Sequence, residues 1–108
     1  MMRQIFLSFL LSFSGLNAIQ EKTGDVNEFL NKCILAIQNQ DYDQALIYIH
    51  RAKKIDSHDV EVYRLEAQLQ EILGNKDDAI TAWENCLNLS ESDTLTKEAE
   101  IHLDHLRD

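Results

Sequence analysis

The chain has 108 residues, 44% of them hydrophobic and 27% charged, with 3 Gly, no Pro and a formal net charge of −9. One domain is the expectation at that length, and so little Gly and Pro argues against an all-β fold, which spends both on frequent turns. Ten basic side chains against 19 acidic ones argue against nucleic acid, where Lys and Arg must neutralise phosphate, and against anionic membrane surfaces.

The N-terminus differs from the rest. Arg3 precedes the apolar run "IFLSFLLSF", followed by the small and polar residues "SGLNA", with no acidic residue before Glu21. This three-part layout predicts a secretory signal peptide over residues 1–18, with a cut after Ala18. The run is too short for a membrane span, which needs about 20 apolar residues. Residues 19–25 read as a linker. An N-terminal helix that stays and packs on the body, or anchors the chain in a membrane, is the competing expectation.

From Asp25 onward the chain repeats itself. A shift of 34 residues pairs Phe29 with Tyr63, Cys33 with Ala67 and Leu35 with Leu69, then Ala45 with Ala79, Ile49 with Trp83 and Ala52 with Cys86. A fixed period without gaps means one supersecondary unit stacked on its copy. Each unit reads as two helices: about Asp25–Gln38 and Asp43–Lys54, then about Asp59–Leu73 and Asp77–Leu89. Asp25-x-x-Glu28 and Asp41-x-x-Gln44 have the form of capping boxes. Gly74 suits a left-handed helix stop; the matching Gln40 must accept backbone strain there or use another turn. Small residues seven apart (Ala45 and Ala52, Ala79 and Cys86) predict close helix approach, with Ile49 or Trp83 filling the space between.

Leu95, Ala99, His102 or Leu103, and Leu106 form a helical stripe over residues 93–107. A stack exposes the apolar face of its last helix, and this segment reads as the cap over it; an incomplete third repeat is the alternative, though its residues fit the repeat register poorly. Two units and a cap fall short of the three repeats usually needed for stability.

Little in the sequence suggests chemistry. His102 and His105 lie three apart near Asp104 and Asp108, without the signature of a helical zinc site, so no metal is expected. No phosphate loop or nucleophile motif is present, and no cofactor or enzymatic activity is expected. Cys33 and Cys86 fill the slots of Ala67 and Ala52, on the first and fourth helices, and read as buried free thiols. Asn88-Leu89-Ser90 is a glycosylation sequon at a helix end.

The repeat resembles the tetratricopeptide repeat (TPR). The resemblance rests on Phe29, Cys33, Ala45, Ile49 and Ala52, then on Tyr63, Ala67, Gly74, Ala79, Trp83 and Cys86, across about residues 26–93. Lys32 and Glu66 stand where the family prefers Leu; Ser57 and Glu91 stand where it prefers Pro. The family implies an all-α fold, a short right-handed superhelix of stacked helix pairs (an α-solenoid). Its repeats would be residues 26–59 and 60–93, with a capping helix at 94–108. It also implies a scaffold whose first helices line a concave groove for a protein or peptide. By that resemblance the groove residues are Asn27, Leu30, Ile34, Ile37 and Gln38, then Glu61, Arg64, Gln68, Glu71 and Ile72. The aliphatic residues among them imply a partner with hydrophobic anchors. Expected function is a small exported binding module; a self-associating subunit or a membrane-tethered one are the alternatives.

Overall fold

The computed structural model describes residues 25–108, and these form five α-helices with no strand among them. They are α1 (Val26–Gln38), α2 (Tyr42–Ile55), α3 (Val60–Leu73), α4 (Lys76–Leu89) and α5 (Asp93–Arg107). The protein is an all-α helical repeat: α1 packs on α2, α3 on α4, and α5 on α4, while α3 joins the units by touching both α1 and α2. The expected leader falls outside the described residues. Within them, no helix is long and apolar enough to cross a membrane.

Local chemistry sets the boundaries. Asp25, Asp41, Asp59 and Ser92 each cap a helix by accepting a hydrogen bond from a first-turn amide, which satisfies a donor the helix leaves orphaned. Both expected capping boxes are corrected: Asp41 accepts the Gln44 amide at 3.4 Å, but its own amide bonds the Ala36 carbonyl rather than the Gln44 side chain. Asp25 takes the amide of Asn27 at 3.0 Å, two residues on, and Glu28 turns forward to pair with Lys32 at 3.2 Å. The helix stops repeat at the 34-residue interval. The amides of Gln40 and Gly74 bond the carbonyls of Ile37 and Glu71, and the amides of Asp41 and Asn75 bond those of Ala36 and Gln70. This double bond pattern needs a left-handed residue, and both Gln40 (φ 60°) and Gly74 (φ 77°) supply it. Gln40 therefore accepts the strain that a side chain brings to that conformation.

The slots that repeat in the sequence are the interior. Ala45, Ile49 and Ala52 of α2, and Ala79, Trp83 and Cys86 of α4, are all fully buried. One core cluster joins Phe29, Cys33 and Ile49 to Val62 and Leu69 of the second unit. The other joins Ala67, Trp83 and Cys86 to Ala99 and Leu103 of α5. Helix α3 thus feeds both, one face forward and one back, which is how a solenoid builds a continuous core.

Glu66, Lys32, Ser57 and Glu91 have their own local solutions. Lys53 Nζ of α2 pairs with the buried Oε2 of Glu66, and the same ammonium lies 5.4 Å from the Tyr63 ring centroid. Lys32 lies 5.4 Å from the centroid of Phe29. At Ser57 the turn is held by the Tyr63 hydroxyl donating to the Ser57 carbonyl at 2.8 Å and by the His58 amide donating to Asp56 at 2.9 Å. Near Glu91 the hydroxyl of Ser90 donates to the carbonyl of Ser92 and accepts from Thr96. Side-chain hydrogen bonds fix what a proline ring would otherwise fix.

Cys33 and Cys86 are buried and free, on helices that do not adjoin. Burial pushes the Cys33 thiol up to about 11. Burial, helped by the nearby Glu61 and Glu98 carboxylates, pushes Cys86 up to about 12. An ordinary thiol ionises near 9, so the folded state holds these protons more tightly than the unfolded chain does. Their contribution is complete below pH 9 and is lost as pH rises from 9 toward 11 and 12, at about 1.4 kcal/mol per pH unit for each thiol. Urea midpoints should therefore fall between pH 8.5 and 10.5, and a Cys33→Ala, Cys86→Ala double variant should lose most of that slope. A thiol reagent at pH 8 should react only at the rate of unfolding. Fast reaction in the native state, or a mass two hydrogens short, would show that the thiols are not packed as described.

Candidate functional site

The two ends of the stack and the surface between them differ in chemistry. On α3 the face turned to the first unit carries Val62, Leu65, Glu66, Leu69 and Leu73. The same slots on α1, where no described unit precedes it, carry Glu28, Asn31, Lys32, Leu35 and Asn39, all exposed. Leu35, Leu69 and Leu103 share one slot, at 58%, 0% and 2% exposure. Four of the five α1 residues are polar, so among the described residues this face of α1 is hydrophilic apart from Leu35. At the other end, α5 offers Thr94, Lys97 and Ile101 where α3 has Val60, Tyr63 and Ala67. That face is polar apart from Ile101.

Between the ends, α1 and α3 lie side by side and enclose a cleft of about 680 Å³. Asn27, Leu30, Asn31, Ile34, Ile37 and Gln38 line it from α1, and Glu61, Arg64, Leu65, Gln68 and Ile72 line it from α3. Nine of the ten residues placed in a groove from the sequence thus meet in one cleft. The two additional ones, Asn31 and Leu65, share a slot at the edge between groove and stacking face. Continuing the groove stripe by one more helical neighbour would have found them.

The wall is uneven. Leu30 is only 8% exposed and belongs to the core, so it supports the floor. Ile34 and Ile72, at 41% and 51% exposure, are the aliphatic side chains that reach solvent, near the C-terminal ends of α1 and α3. Toward the N-terminal ends the lining becomes polar, with Asn27, Asn31, Glu61 and Arg64.

Glu71 is the exception among the ten. Its Oε2 accepts the indole N–H of Trp83 at 2.7 Å and contacts Nδ1 of His102 at 2.8 Å. The indole and imidazole rings stack at 4.3 Å. Beside this group, Arg64 Nε donates to Glu98 at 2.9 Å and Nη1 contacts Glu61 at 3.3 Å. The hydrogen bond to Glu98 leads the causes that raise the Arg64 pKa further, so its charge is fixed. Glu98 and His102 lie 34 residues after Arg64 and Gln68. The tail helix therefore stands where the first helix of a third unit would, and its side chains lace the second furrow shut. The α1–α3 furrow, by contrast, is open, with an aliphatic lining from Leu30, Ile34, Ile37, Leu65 and Ile72.

Among the described residues, no three His, Cys, Asp or Glu side chains gather as metal ligands would. No model of a known protein family matches the chain, and no curated protein matches it.

Proposed function

We propose that the protein is a non-enzymatic binding module, a small tetratricopeptide-like scaffold that holds a protein or peptide segment in the α1–α3 cleft. One observation carries this reading: the α1–α3 cleft holds Ile34 and Ile72 open to solvent within a lining of carboxamide and charged side chains. Burying a branched aliphatic side chain is worth about 1.5–3 kcal/mol before ordering costs, so these two residues are natural anchors. In this reading residues 1–18 direct export and are removed, no nucleic acid is bound, and the described repeats act outside the cytoplasm.

The test is Ile34→Asp. At 41% exposure the change should move the melting midpoint by only a few degrees, because a surface substitution typically costs about 0.5 kcal/mol or less. Proteins retained by the wild-type chain from an extract of its own compartment should be lost. A sharp fall in the midpoint would make Ile34 core, and unchanged retention would move the binding surface elsewhere. Light scattering should report a monomer; a concentration-dependent dimer that Ile34→Asp dissolves would assign the cleft to self-association.

A further inference from the structure

The charges around the cleft specify its occupant more narrowly. Among the described lining residues Arg64 is the single cation, and it is already claimed by Glu61 and Glu98. Two carboxylates against one guanidinium leave a net charge of −1 at the polar end, in a chain whose formal charge is −9. A carboxylate entering here would have to displace Glu98 from a hydrogen-bonded pair and would meet the field of Glu61. A cation meets Glu61 directly, since that side chain is half exposed.

Length and hydrogen bonding set the conformation. From Asn27 to Ile37 the cleft follows ten residues of helix, about 15 Å at 1.5 Å per residue. An extended chain covers that distance in about five residues. Asn27, Asn31, Gln38 and Gln68 each present a carboxamide with both donors and an acceptor. An extended segment leaves its main-chain N–H and C=O groups free for such amides, whereas a helix has already paired its own.

Resting on the groove reading, we propose that the cleft takes an extended segment of about five residues. Its cationic side chain lies beside Glu61, and aliphatic side chains on the same face lie over Ile34 and Ile72. Successive side chains of an extended chain alternate, so the cation and the aliphatic residues fall at every second position. The cleft rejects acidic segments because its arginine is already neutralised.

Six blocked hexapeptides test this: Xaa-Ser-Leu-Ser-Leu-Ser and its reverse, each with Lys, Gln or Glu as the variable residue. They would be titrated into the full chain while amide chemical shifts are followed. In dilute salt the Lys peptide of one orientation should bind about tenfold more tightly than its Glu counterpart, with Gln between, and shifts should centre on Ile34, Glu61 and Ile72. The preference should shrink in ~0.5 M salt, where surface charges are screened within a few ångströms. Glu61→Gln should abolish the Lys preference while the Gln peptide binds as before. Equal binding of all three, or preference for Glu, with shifts still in the cleft, overturns the charge inference and leaves the groove reading standing. Shifts that map elsewhere, or that survive Ile34→Asp, overturn the groove reading itself. Failure of all six to bind at millimolar concentration overturns the extended occupant.

Discussion

Trp83→Ala should lower stability by about 3–5 kcal/mol, the usual cost of deleting a buried indole. Trp83 is the largest fully buried side chain in the described structure. It fills the space between α3, α4 and α5, and its ring stacks on His102 of the tail helix. Truncation leaves a cavity between three helices at once. It also removes the indole donor from Glu71, whose Oε2 then keeps His102 alone. In a domain of this size 1 kcal/mol moves the midpoint by about 4–8 °C, so thermal melts should show a fall of about 12 °C or more. Trp83→Phe should recover most of the packing and little of the hydrogen bond, giving an intermediate midpoint. A midpoint within 2–3 °C of wild type would mean that α5 does not dock on Trp83.

The helices themselves were legible because most of their boundaries rest on local chemistry. Asp59 and Gly74 start and stop α3 at the residues where their capping types put them, and the start of α2 differs from its expected position by one residue, at Tyr42. The interior was legible for a different reason. A slot that holds Ala in one unit and Ala or Cys in the next must be crowded in both, and Ala45, Ala52, Ala79 and Cys86 are all sealed from solvent.

The groove was legible only as a direction on the helix surface. The sequence places Leu30, Ile34 and Ile37 on one side of α1, but how far each reaches solvent depends on how closely α3 approaches. That approach buries Leu30 and leaves Ile34 open. Glu71 misled for a related reason. Its slot on α3 faces the groove side, yet its carboxylate turns toward an indole on α4 and an imidazole on α5. A single helix cannot show that competition, because the partners lie 12 and 31 residues further along the chain. The interval itself held a clue: carried once more into the tail, it sets Glu98 against Arg64, opposite charges one unit apart.

Ala79→Glu should be more damaging still and should leave little folded protein at room temperature. Ala79 is completely buried, in the small-residue slot where α4 meets its neighbours. A methylene and a carboxylate must fit where no space is free, and overpacking of this kind costs about 1–3 kcal/mol. The added carboxylate would also be buried with no cation built to meet it, and burying an unpaired charge costs several kcal/mol more. The sum rivals the whole stability of a domain this small, about 0.05–0.15 kcal/mol per residue. Relief by protonation is partial, since the neutral acid still carries the excess volume, so lowering the pH should restore only part of the helical signal. Thr81→Glu is the control, two residues on and exposed, and should stay within about 0.5 kcal/mol of wild type. Circular dichroism melts of the two variants decide the matter. If Ala79→Glu melts where the wild type does, α4 is not packed through this slot and the stacking of the two units is wrong.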